Sequence, residues 1–197
     1  SLAAWGLVMH DGTRRARRAG AVYLALAVAG EVVLLAGFVL LAVAAPGESL
    51  AIRDVVAALP QSPWLDATLA LLILGFGLKA GLVPMHVWLP VAHPAAPMPA
   101  SAVLSGAIIK AGIVGLVAFL PAAQAMPGWG ETLAAIGLIT AWYGIAVGIT
   151  QDNAKTVLAY SSVSQMGVAT AVLGAAWAAG NTGAMPLAAF YAAHHVL

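Results

Sequence analysis

Cysteine is absent from the 197-residue sequence, and only 8% of its residues are charged. The first absence excludes disulfides, thiolate metal sites and cysteine-ligated iron–sulfur clusters. The second excludes an ordinary soluble fold, in which about a quarter of residues carry charge. A net charge of +1 leaves no electrostatic case for nucleic acid as a partner. No glycine-rich phosphate loop precedes a helix, and no nucleophile–base pair stands in a polar setting, so nucleotide and hydrolytic chemistry lack a motif. An initiating Met and a signal peptide are also missing. With apolar stubs at 1–9 and 186–197, the sequence is expected to be an excerpt from a longer chain.

What is present is apolar: 62% hydrophobic residues and a mean hydropathy of +0.98. Lipid is the solvent that suits this composition, and the expected fold is an all-α, polytopic transmembrane helical bundle forming a single region over 1–197. A span needs about 20 mostly apolar residues. Full spans are predicted over 19–45, 64–83, 100–120, 132–150 and 156–179, with partial spans at 1–9 and 186–197.

Lysine and arginine set orientation. Arg14, Arg15, Arg17 and Arg18 precede the first full span, and counting crossings puts Lys155 on the same side. The opposite side receives Glu48, Asp54, Asp66 and Glu131, with Arg53 its only cation. The predicted orientation therefore places the Arg14–Arg18 loop and Lys155 in the cytoplasm, within a bacterial or archaeal plasma membrane.

Residues 84–99 contain Pro84, Pro90, Pro94, Pro97 and Pro99. Proline removes a backbone donor and clashes with the preceding turn, so the second span is predicted to be a broken helix continuing to about 97. A plain cytoplasmic loop is the alternative. Non-helical backbone at membrane depth survives only when buried in protein or lining a wet cavity, and discontinuous helices mark ion paths in transporters. Gly144 and Gly148 make a GxxxG pattern, read as chance in a chain with 21 glycines.

Of the fifteen Asp, Glu, Lys and Arg residues, three fall inside spans: Glu31, Lys79 and Lys110. Each costs roughly 2.5–3.5 kcal/mol at the bilayer centre even on a lenient scale, so intramembrane charges are usually functional. A lysine on which burial and a neighbouring carboxylate act in opposition can gain and lose a proton near neutral pH; arginine cannot. The lysines accordingly point to proton handling, with snorkelling to the interface as the alternative. Glu31 could pair with a lysine, join a proton path or bond a neighbouring helix. His86 and His93 flank Trp88, and each is either a proton-transfer group or a hydrogen-bonded packing residue. The pair His194 and His195, in the last partial span, is a relay candidate. Metal binding is not expected, because no third ligand lies at suitable spacing. Lys155, beside Asp152, reads as an interfacial anchor.

Three stretches carry a resemblance. Residues 75–97 read GFGLKAGLVPMHVWLPVAHPAAP, residues 101–112 SAVLSGAIIKAG and residues 155–167 KTVLAYSSVSQMG, and the chain closes on AHHVL. Together they resemble the proton-conducting antiporter-like membrane subunits of NADH:quinone oxidoreductase (complex I), of group 4 hydrogenases such as formate hydrogenlyase, and of Mrp cation/proton antiporters. The likeness covers roughly 75–197; the region before it fits by spacing and hydropathy. It implies that Lys79 is a central proton carrier and that Lys110 passes protons along a lateral polar axis joined by His195 or His194. Lys155 matches a basic residue of less defined role. Pro84, Pro90 and Pro97 fall in the same signature, as structural positions around the broken helix. Many members carry an acidic residue where this chain has Val91. The family pairs its first lysine with a glutamate on the preceding helix; that partner is expected before Ser1, and Glu31 is not assigned its place.

The resemblance implies a proton-translocating subunit of a redox-driven complex, moving H+ through buried lysines beside other membrane subunits. No cofactor is expected on this chain, the electron carriers lying elsewhere. The alternatives are an Mrp-type antiporter subunit without redox activity, with Na+ as a second cation, and a non-conducting scaffold.

Overall fold

The computed structural model describes residues 2–45, 49 and 51–195. Glu48, counted above among the loop acids, lies outside the described residues. The chain forms helices α1 (Leu2–Val8), α2 (Arg14–Val43), α3 (Ile52–Ala58), α4 (Leu65–Ala80), α5 (Leu89–Ala95), α6 (Met98–Val103), α7 (Ile109–Phe119), α8 (Pro127–Gly148), α9 (Ala154–Ala178) and α10 (Met185–His194). No strand occurs among the described residues. Among the described residues, five segments are long and apolar enough to cross a membrane: Arg14–Val43, Leu65–Ala95, Met98–Phe119, Pro127–Gly148 and Ala154–Ala178. The fold is a polytopic helical bundle.

Local chemistry sets the helix ends. Thr13 is extended and its hydroxyl accepts the Ala16 N–H at 3.1 Å, starting α2 among the arginines. The Asn153 side chain does the same for α9, accepting from Lys155 N–H at 2.9 Å and Thr156 N–H at 3.3 Å. Helix α4 ends on Gly81, whose φ of 76° is left-handed. The Leu82 N–H bonds the Gly77 carbonyl at 2.9 Å and the Gly81 N–H bonds that of Leu78 at 3.2 Å, which together make a Schellman turn. Proline is therefore not what stops α4; glycine makes the turn because it takes positive φ without a Cβ clash. Pro84, Pro90 and Pro97 follow where a missing N–H is cheap, whereas Pro94 lies inside α5. Pro84 precedes the 3₁₀ turn Met85–Trp88, Pro90 sits in the first turn of α5, and Pro97 stands just before α6.

The joint between α6 and α7 is a π-helical segment, Leu104–Ile108, in which the Ile109 N–H reaches back to the Leu104 carbonyl. Nothing in the apolar pattern of 100–120 marks it. Such insertions concentrate at functional sites.

Close packing holds the bundle. On α8, Gly130, Gly137 and Gly144 recur every seven residues, and α9 answers with Gly167 and Gly174. A Cβ on Gly137 would lie 2.3 Å from the Ala171 nitrogen, one on Gly144 2.7 Å from that of Ser164, and one on Gly174 2.3 Å from that of Ala134. The reading of Gly144 as chance is corrected: it belongs to a seam where two backbones touch. A second contact joins α4 to α7, where a Cβ on Gly112 would meet the Ala80 nitrogen at 2.5 Å. This contact places Lys79 and Lys110 on adjoining helices. Trp142 on α8 and Ile149 just after it, 73% and 80% exposed, face outward, as expected of a lipid-facing surface.

Candidate functional site

Lys79 occupies the last turn of α4, where a cation complements the helix dipole. Its Nζ lies 2.6 Å from Glu31 Oε1 on α2, with the Lys79 side chain 20% and the Glu31 side chain 50% exposed. Of the alternatives left open for Glu31, pairing with a lysine is the one the structure shows, although the family's own partner is expected before Ser1. The sequence distance of 48 residues hid the pairing, since only the contact of α2 with α4 brings the two groups together. Beneath the pair, Trp88 Nε1 donates to the Leu78 carbonyl at 3.0 Å, and Tyr23 meets the Trp88 ring edge-on at 5.3 Å. A cavity of about 20 Å³ is lined by Tyr23, Lys79, Trp88 and Ile108 among others. It is large enough for one water molecule.

Lys110 follows the π segment and is 7% exposed. Its Nζ donates to the Ser105 carbonyl at 2.5 Å and lies 3.0 Å from His195 Nδ1, at the end of α10. Among the described residues no carboxylate lies within ion-pair distance of it. The Ser105 and Ser162 hydroxyls are hydrogen-bonded at 2.9 Å, which fastens the π segment to α9. Of the two adjacent histidines, His195 turns to Lys110 and is partly buried, whereas His194 is exposed.

The remaining candidates lie apart from these pairs. His86 is buried with its ring edge-on to Tyr143 at 4.8 Å and 6.2 Å from the Tyr160 ring; its Nδ1 has no hydrogen-bond partner among the described residues. His93, also buried, bonds the Ser101 hydroxyl through Nδ1 at 2.6 Å and leaves Nε2 without a partner. Lys155 donates to the Ala96 carbonyl at 2.8 Å. Pro84, Pro90 and Pro97 shape the backbone around these groups and present no side-chain chemistry. Sequence reasoning missed Ser105, Ser162, Ser101, Tyr23 and Tyr143. Serine and tyrosine are too common to flag, and Ser105 meets Lys110 across a five-residue offset that no α-helical face rule selects.

The arrangement can move protons. Lys79 with Glu31, and Lys110 with His195, are two titratable pairs at hydrogen-bond distance within an apolar bundle. In the second pair, transfer converts ammonium and imidazole into amine and imidazolium without bond reorganisation elsewhere.

Known proteins share the sequence and the fold. The family described as NADH:quinone oxidoreductase/Mrp antiporter, transmembrane region, matches residues 1–197. Hydrogenase-4 component B of Escherichia coli K12 is 36% identical over 183 residues, which cover 89% of this chain and 26% of that protein. NADH-quinone oxidoreductase subunit N of Heliobacterium modesticaldum is 37% identical over 163 residues, 81% of this chain and 34% of that protein. The solved Mrp complex from Dietzia sp. DQ12-45-1b superposes with a TM-score of 0.85 at 27% identity, over 99% of this chain and 21% of the matched chain. The chain thus spans about a third or less of the length of each relative. It belongs to the transmembrane family of the NADH:quinone oxidoreductases and Mrp antiporters.

Proposed function

We propose that this chain is part of a proton-translocating membrane subunit of a redox-driven complex, an NADH:quinone oxidoreductase or a related membrane-bound hydrogenase. The carrying observation is that both lysines inside the apolar bundle are held by titratable partners, Glu31 at 2.6 Å and His195 at 3.0 Å. A passive scaffold would not need such pairs, because each intramembrane charge costs several kcal/mol. Lys79 and Lys110 are the proton carriers, Glu31 and His195 are their partners, and His86 is a further proton-transfer group apart from both pairs. His194 stands beside it. The electron carriers reside on other subunits, which the cysteine-free sequence supports. The membrane is a bacterial or archaeal plasma membrane, with the Arg14–Arg18 start of α2 and Lys155 on the cytoplasmic side.

The test is Lys79→Ala in the full-length protein within its complex, with acidification of inverted vesicles measured against assembly level. Loss of the pH gradient at normal assembly supports the reading. Undiminished pumping removes Lys79 from the path.

A second reading, an antiporter subunit without redox activity, is favoured by the match to the Mrp complex over nearly the whole chain. In the same vesicles, collapse of an imposed pH gradient on adding Na+, with no electron donor present, identifies that activity.

A further inference from the structure

We propose that Lys155 is a positioning residue: its ammonium clamps the Ala96 carbonyl and thereby fixes the chain reversal between α5 and α6 across which His93 and Ser101 meet. The site of Lys155 is unfavourable for an ordinary anchor. It stands in the first turn of α9, where the helix dipole disfavours a cation, and Asn153 already caps that end through two N–H groups. Asp152 forms no ion pair with it among the described residues. The side chain instead crosses 59 positions of sequence to one backbone oxygen at 2.8 Å.

That oxygen needs a partner. Ala96 is extended, with ψ of 147°, and 1% exposed; the next residue, Pro97, has no N–H. A buried carbonyl left unpaired costs about 1–3 kcal/mol, and the C-terminal end of α5 is where a cation is welcome. The clamp bears on chemistry through His93. This ring is 2% exposed, and its one hydrogen bond, to Ser101 at 2.6 Å, spans the same reversal. Because Nε2 is unpartnered, the angle between α5 and α6 decides where that nitrogen points. His93 also lies within electrostatic reach of both Lys110 and Lys155, so the clamp orients a titratable group between the helix base and the buried lysine.

The inference rests on the proposed function only for its transport readout, and a second readout is independent of transport. Ala95 is 7% exposed beside the clamp, and this stretch has no cysteine of its own. With Ala95→Cys in the full-length protein in native membranes, labelling by an aqueous maleimide is compared among Lys155, Lys155→Arg and Lys155→Met. The methionine variant is expected to label about tenfold faster, the scale of losing one charge-assisted hydrogen bond. The arginine variant is expected to match the parent. In vesicles without the added cysteine, Lys155→Arg retains pumping while Lys155→Met loses most of it, and Asn153→Ala, which weakens the α9 start without touching Ala96, stays near the parent. An assembled but inactive Lys155→Arg would make Lys155 a proton carrier and overturn the clamp, as would parental labelling in Lys155→Met. Should Lys155→Met fail to accumulate, Lys155→Gln replaces it: labelling between parent and tenfold supports the clamp, and parental labelling refutes it. Absence of pumping in the parent itself rejects the proposed function and leaves the labelling result to decide the clamp.

Discussion

Lys79 and Lys110 sit on helices that touch at Ala80 and Gly112, yet their ammonium groups are held by different means. Lys79 faces a full opposite charge, Glu31, and the pair is only partly enclosed. Lys110 is almost wholly enclosed, and its partners are a backbone carbonyl and an imidazole. A proton passed from Lys79 to Glu31 cancels two charges at once. A proton passed from Lys110 to His195 only moves one charge from one helix to another. On the proposed function, the first site can therefore switch between an ion pair and a neutral pair, while the second would keep its charge throughout.

The largest effect is expected where charge must move without being cancelled. Lys110→Arg keeps the cation but cannot release a proton, so the initial rate of vesicle acidification should fall by about 10²-fold or more, the scale of a lost proton-transfer group. A rate equal to the parent would break the contrast, since it would mean that Lys110 serves only as fixed charge. Glu31→Gln preserves shape and removes the counter-charge from Lys79. Its expected cost is about tenfold in the same rate, the scale of one charge-assisted contact; an unchanged rate would show that the carboxylate seen here is not the working partner. The smallest effect sharpens the comparison at its relay end. His194→Ala is expected to change the rate by less than about twofold, as for a surface substitution within ±0.5 kcal/mol, whereas His195→Ala should be clearly slower. Equal losses at both histidines would mean that Lys110 does not discriminate between them.

The spans and the intramembrane charges were legible because hydropathy and charge act locally: a lysine among ten apolar residues is conspicuous whatever surrounds it. Lys79, Lys110 and His195 were therefore found by residue type and depth. What paired with them was not legible. Glu31 reaches Lys79 only because α2 lies against α4, and Ser105 reaches Lys110 only because the helix between them is π-wound. The prolines predict a broken span, yet the turn that ends α4 is made by Gly81, a residue that composition renders unremarkable in a glycine-rich chain. The same richness obscured the seven-residue spacing of Gly130, Gly137 and Gly144, which gains meaning only when set against Gly167 and Gly174 on the partner helix.

That seam between α8 and α9 has a mechanical consequence. With atoms of one backbone lying where the other helix's Cβ atoms would be, helices of 22 and 25 residues cannot slide or roll past each other without collision, and they behave as a single stiff spar. The π segment beside Lys110 and the Gly81 turn beside Lys79 are where the regular α-helical ladder is interrupted, and the first of these is tied to the spar through Ser105 and Ser162. Even alanine at Gly137 or Gly174 would drive its Cβ into the partner backbone, so the spar places a strict demand on positions that carry no charge and touch no proton.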